Sequence, residues 1–257
     1  MKDLPPYADF DFDLARAVLE QLVAAFRELP IGALNPSVID NMKPGQGVYQ
    51  LFLDGGLVYI GKADKGLRSR IKRHFRILAA RQNIDISALG FKAMYIHRNW
   101  TTWTTEAALI RFSGEQSPWN TSGWGSNDPG HNREDTAEED TFNSQYPIDS
   151  GYKCDWIDPG EYLAWHLLNR LKKGLPYLLR FHRVTRKFRE PEDRFAEGEL
   201  KETRVVVRRA AMSARELLRD IARQLPVGWQ ATQFPGRLIL YRERTEYRHG
   251  HRIWPDP

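Results

Sequence analysis

Residues 47–61 read Gly47-Val48-Tyr49-Gln50-Leu51-Phe52-Leu53-Asp54-Gly55-Gly56-Leu57-Val58-Tyr59-Ile60-Gly61. Two short runs of β-branched, aromatic and aliphatic residues flank Asp54-Gly55-Gly56. That pattern predicts a β-hairpin, because an Asp-Gly turn accepts the positive φ angles that a tight hairpin needs. The hairpin is the fixed point from which the rest of the chain is read.

Downstream, residues 61–82 place Leu67, Ile71, Phe75 and Leu78 on one helical stripe. Lys62, Lys65, Arg68, Arg70, Lys72, Arg73, Arg76 and Arg81 surround it, which predicts a strongly basic amphipathic helix. A third strand is expected over 91–97 and a helix over 102–112, followed by a loop-like stretch over 114–132. Upstream, Leu14, Ala17, Val18, Leu22 and Phe26 recur at helical spacing over 13–29, with Asp13 as a cap and Pro30 as a stop. Residues 30–47 read as a Pro/Gly/Asn-rich connector. Towards the C-terminus, 162–179 reads as a helix broken near Gly174 and Pro176, 186–202 as a charged mobile loop, and 204–207 as a strand. Ser213-Ala214-Arg215-Glu216 is a capping box that opens a helix to about residue 224. A second hairpin is expected over 229–242 around Pro235-Gly236.

Composition narrows the function classes. The 257 residues are 41% hydrophobic and 12% aromatic, enough to bury a core. The lone cysteine, Cys154, excludes an intrachain disulfide and a cysteine-built zinc site, and reads as an inert buried thiol. The N-terminus lacks a basic then apolar leader, and no apolar run approaches membrane-spanning length, so a cytoplasmic protein without a membrane partner is expected. Residues 1–164 hold 17 Lys+Arg against 22 Asp+Glu, a net of −5; residues 165–257 hold 21 against 11, a net of +10. A basic C-terminal third is the footprint of a polyanion binder.

Gly47-Val48-Tyr49, followed ten positions after its tyrosine by Tyr59-Ile60-Gly61, resembles the signature of the GIY-YIG nucleases. The resemblance extends to Arg70 and His74 one helical turn apart, Glu106 at the start of the next expected helix, and Asn120 in Ser117-Pro118-Trp119-Asn120, covering roughly residues 45–121. It implies an α/β fold: a GIY-YIG nuclease core with a small mixed or antiparallel sheet and flanking helices. To this are added an N-terminal helix and a basic C-terminal α/β extension. The expected organisation is 1–44 as N-terminal helical extension, 45–125 as nuclease core, and 126–257 as an integral loop and DNA-recognition extension.

Phosphodiester hydrolysis needs an activated water, charge stabilisation on the phosphate and help for the leaving oxygen. Glu106 is the natural ligand for Mg2+, with Mn2+ as a substitute. Arg70 offers a planar fork to a phosphate oxygen, and His74 titrates near neutrality. The resemblance implies that Tyr49 acts as general base or orients the water, which requires a cation to lower its proton affinity; Lys62 is the candidate. Whether Tyr49 or His74 takes the proton is open. Tyr59 is expected to orient water or phosphate, and Asn120 to support the site by hydrogen bonding.

The layout around the core and the stretch over 118–133 resemble the type II restriction branch that cuts CCGCGG. Arg133, near Asn127, His131 and Asn132, is the candidate base reader. Arg68, Arg73, Lys187, Arg204, Arg208 and Arg209 are candidate phosphate contacts on double-stranded DNA. Cutting both strands of a palindrome needs two active sites, so a homodimer on DNA is expected, with the helix over 15–29 as a candidate interface. The competing expectations are a non-catalytic DNA-binding regulator on the same fold and a structure-dependent repair nuclease.

Overall fold

The structure is a computed structural model that describes residues 14–96, 117–122, 124, 142–184 and 191–255. The fold is mixed α/β, with three small sheets among the described residues. The chain divides into two compact units, Met1–Lys72 with Asp85–Thr121, and Arg73–Ile84 with Ser122–Pro257.

In the first unit, α1 (Leu14–Glu28) leads to a two-residue strand β1 (Gly32–Ala33) and a short helix α2 (Pro36–Asp40). The expected connector over 30–47 therefore carries structure. Asn35 caps α2, its side chain accepting from the Val38 amide at 3.0 Å, and proline stands at the first helical position where no amide partner is lost. β2 (Gly47–Leu53) and β3 (Gly56–Ala63) form the expected antiparallel hairpin. Asp54 and Gly55 take φ of 52° and 77°, the left-handed pair that a two-residue turn requires. α3 (Leu67–Leu78) follows, then β4 (Leu89–Tyr95) and α4 (Pro118–Thr121). β4 pairs with the free side of β2, and β1 with β4, giving the order β1-β4-β2-β3 with all pairings antiparallel. Alternation sends Val48 and Ile60 to one face, where Leu19, Leu22 and Phe26 of α1 cover them. The first turns of α3 cover the other face through Leu67 and Ile71, both fully buried. The helix expected over 102–112 lies outside the described residues.

The division between the units falls within α3, whose residues from Arg73 onward belong to the second. That unit continues with α5 (Phe142–Gln145), β5 (Gly160–Leu163), α6 (Ala164–Gly174), β6 (Leu178–Phe181), α7 (Pro191–Glu202), β7 (Arg204–Val207), α8 (Ala214–Gln224), β8 (Trp229–Phe234), β9 (Arg237–Arg242) and β10 (His251–Trp254). One sheet has the order β10-β8-β9-β6, with β6 parallel to β9; β5 and β7 form a separate antiparallel pair. Leu167, Leu168 and Leu171 of α6, Leu217, Leu218 and Ile221 of α8, and Leu238 and Leu240 of β9 share one core.

The broken helix expected over 162–179 is instead a strand, a helix and a strand: Tyr162 and Leu163 close β5, Gly174 ends α6, and Leu178 and Leu179 open β6. A leucine-rich run satisfies a helical or an extended pattern equally, so periodicity does not separate them. Of the charged stretch expected to be a loop, Pro191–Glu202 is a helix. Pro191 opens it, Glu192 and Asp193 stand in its first turn, and only Ala196 and Leu200 are buried. An apolar contact of two residues leaves almost no stripe to see.

Candidate active site

The hairpin register builds the site. Tyr49 sits opposite Gly61 and Tyr59 opposite Leu51, so the two tyrosines are diagonal neighbours on one sheet face, their ring centroids 6.0 Å apart. Tyr49 is fully buried and Tyr59 nearly so. A Cβ on Gly61 would lie 2.3 Å from the Tyr49 Oη, and one on Gly47 would lie 2.0 Å from the Met94 carbonyl oxygen. Both glycines of the motif are thus close-approach positions. Arg70, in the first turns of α3, donates from Nε to the Tyr49 Oη at 3.4 Å. Asn120 closes the open edge of β3: Ile60 N donates to its Oδ1 at 2.9 Å, and its Nδ2 donates to the Ile60 carbonyl at 2.9 Å. A carboxamide here replaces the strand that an edge lacks, and it pins the backbone between Tyr59 and Gly61.

Lys62 does not sit beside Tyr49. It pairs across with Val48, which puts it on the α1 face of the sheet while Tyr49, Tyr59 and Gly61 occupy the other. Its ammonium meets Asp64 at 2.8 Å. Adjacency to Gly61 in sequence implies the opposite face in a strand, and that alternation overturns its expected role.

The electrostatics follow from this packing. Burial, then the neighbouring Tyr59, push the Tyr49 phenol well above its ordinary range, and the Arg70 contact only partly opposes them. Burial pulls the Arg70 guanidinium down, but Tyr49 and Tyr59 outweigh it and hold it above its usual value. The pair therefore consists of a protonated phenol and a permanent cation.

His74 lies one turn beyond Arg70 on α3 but belongs to the second unit. It is 4% exposed, and its ring packs on Trp124 with centroids 4.5 Å apart. Trp124 continues to Phe142 (5.6 Å) and Phe142 to Tyr146 (5.2 Å). Arg81 lies over Phe142 at 5.2 Å and donates to Asn143 Oδ1 and the Tyr146 carbonyl at 2.9 and 3.0 Å; burial pulls it down to about 10. This aromatic row escaped the sequence reading. Its members are scattered over 74–146, and only the density of aromatic residues hints at it.

Glu106, the expected metal ligand, and Arg133 and Lys187, expected on DNA, lie outside the described residues. Tyr49, Tyr59, Arg70 and Asn120 supply phenols, a guanidinium and an amide already engaged with backbone, so they offer no carboxylate to a magnesium ion. No cluster of three or more His, Cys, Asp or Glu occurs among the described residues. Arg68 is exposed and reaches the Met42 carbonyl at 3.4 Å; Arg73 is exposed on α3. In the second unit Arg204 is paired with Glu161 and Arg209 with Glu216, while Arg208 is exposed. The Cys154 thiol is fully buried and pushed up to about 12, by burial first and then by Asp155. No helix among the described residues is long and apolar enough to cross a membrane. No protein-family model matches the chain, and no curated protein matches it.

Proposed function

We propose that the chain is a metal-dependent endonuclease of the GIY-YIG type that hydrolyses phosphodiester bonds of double-stranded DNA, working as a type II restriction enzyme with CCGCGG as the first site to test. The observation that carries this reading is the contact between the Arg70 guanidinium and the Tyr49 hydroxyl on the motif hairpin. Arg70 is half-buried, engaged by Tyr49 and Tyr59, and its planar guanidinium suits a phosphate oxygen whose charge grows in the transition state. Tyr59 stands beside them as a second phenol donor. Asn120 holds the strand that carries Tyr59 in place through both hydrogen-bonding groups of Ile60.

A magnesium ion on Glu106 would polarise the phosphate and lower the proton affinity of a bound water. Tyr49, with its phenol held protonated, orients and donates rather than deprotonates in this scheme. One observation favours a second reading, a non-catalytic DNA-binding protein on the same core: Tyr49 is fully buried, as a packing residue would be.

Incubating purified protein with plasmid and phage DNA, with magnesium or EDTA, separates the readings. Discrete magnesium-dependent fragments sharing one terminal sequence are expected. A smear points to a repair or nonspecific nuclease. Binding without cleavage returns the non-catalytic reading.

A further inference from the structure

In the second unit, Trp165 of α6 and Phe181 of β6 meet edge to face with ring centroids 5.6 Å apart. Three cations lie over this pair. Arg183 stands 5.2 Å from the Trp165 centroid and 5.7 Å from that of Phe181, Lys201 is 5.1 Å from Trp165, and Lys172 is 5.6 Å from Phe181. Each contact is favourable by itself, yet three like charges gathered on two rings repel one another. Lys172 registers this: burial, then the Arg183 charge, pull its ammonium below the ordinary range. One carboxylate answers them. Glu197 holds Lys201 at 2.5 Å and accepts the Val184 amide; against the pull of burial, Lys201, that amide and Arg183 keep it below the usual carboxylate range. The neighbouring acid on α7, Asp193, faces His182 at 3.6 Å instead. Neither Lys172 nor Arg183 forms an ion pair among the described residues.

Beside the rings, α7 borders a groove of about 410 Å3 lined by Val184, Arg194, Glu197, Gly198 and Lys201. A Cβ at Gly198 would meet nothing within 4 Å, so the groove is open there. Arg194 and Lys201 line the groove with one carboxylate, Glu197, while Arg183 and Lys172 stand over the adjoining rings, so cations outnumber the carboxylate that lines it. A concave surface with that excess raises the local concentration of anions. A row of cations over a groove suits a chain of phosphates better than a single carboxylate, and the aromatic rings hold the long side chains ordered before the ligand arrives.

We propose that this groove binds the sugar-phosphate backbone of duplex DNA, as a contact that holds the substrate without reading its sequence. The site rests on the reading of the chain as a DNA endonuclease and adds Lys172, Arg183, Arg194 and Lys201 to the residues that meet DNA.

The test is fluorescence anisotropy of the full chain on a labelled duplex across a salt series without divalent metal. The wild type is compared with the double variant Lys172→Gln/Arg183→Gln and with Gly198→Glu. The Gly198→Glu change sets a carboxylate into open space in the groove, so the fold tolerates it. Both variants should bind about 10-fold more weakly. In the double variant the slope of log affinity against log salt should flatten by about 1.8, since each lost phosphate contact removes about 0.9. Cleavage at saturating DNA should keep its rate. Unchanged affinity and slope in both variants, with thermal stability lost in the double variant alone, would make these cations packing residues and overturn the site while leaving the nuclease reading intact. A wild type without affinity for duplex DNA overturns both. A slope that flattens in variants of a protein that never cleaves with magnesium supports the site and removes the nuclease reading.

Discussion

At the scale of single residues, the decisive feature is the direction in which Tyr49 is pushed. A free phenol titrates near about 10, and a general base at neutral pH needs that value lowered by a cation. Burial raises it here, and Lys62 is on the other sheet face. Two outcomes follow if Tyr49 donates rather than accepts. Tyr49→Phe should slow cleavage while the rise of rate with pH stays as in the wild type, whereas a rising limb present in the wild type and missing in the variant would restore the base role. The stability sign is set by the same shift. The unfolded phenol ionises near about 10 while the buried one stays protonated, so this contribution is whole below that pH and is lost as pH climbs towards the folded value. Arg70 makes the complementary prediction. Arg70→Lys keeps the charge but loses the planar fork and the Nε contact, and should cut the cleavage rate about 100-fold while circular dichroism stays that of the wild type. A rate within a factor of a few of wild type would reduce Arg70 to a packing partner of Tyr49.

At the scale of elements, what the sequence revealed depended on whether a signal was local. The hairpin was legible because its turn and its alternation lie in fifteen consecutive residues, and so was the capping box of α8, where Ser213 and Glu216 are three apart and hydrogen-bond reciprocally. Asn120 was legible as a supporting residue, but not its manner, because its partner is the backbone of Ile60, sixty positions away. The helix α7 was hidden because two buried residues define no stripe, and β1 because two residues define no alternation. The capping box yields a prediction of its own. Ser213→Ala should cost about 1 kcal/mol, read as a lower melting temperature. Glu216 is held below its ordinary range by the Ser213 amide first, then the Ser213 side chain, with Arg209 adding to it. That contribution is present above the unfolded carboxyl value, near about 4.3, and is lost as pH falls through the lower folded value. Glu216→Gln, which keeps an acceptor but does not titrate, should flatten the acid side of the stability curve; an acid limb identical to wild type would leave Glu216 without this role.

At the scale of the whole molecule, charge and stoichiometry set the terms. The chain changes from a net of −5 over 1–164 to +10 over 165–257, so its basic charge is concentrated away from the motif residues in sequence. One chain carries one Tyr49–Arg70 pair, and a double-strand break needs two phosphodiesters hydrolysed on opposite strands. If two copies meet one palindromic site with two-fold symmetry, each cuts one strand. Wild-type protein alone should then convert supercoiled plasmid to linear DNA with little nicked intermediate. Premixed with a large excess of Glu106→Ala protein, nearly every wild-type subunit would be paired with an inactive one, and nicked circles should accumulate while linear product falls. Linear DNA formed in undiminished proportion from such mixtures would mean that a single copy cuts both strands in turn, and would remove the homodimer from the mechanism. The same mixtures also report on Glu106 itself, because an excess of Glu106→Ala protein that cleaves as well as wild type by itself cannot poison a partner and would displace the metal from that carboxylate.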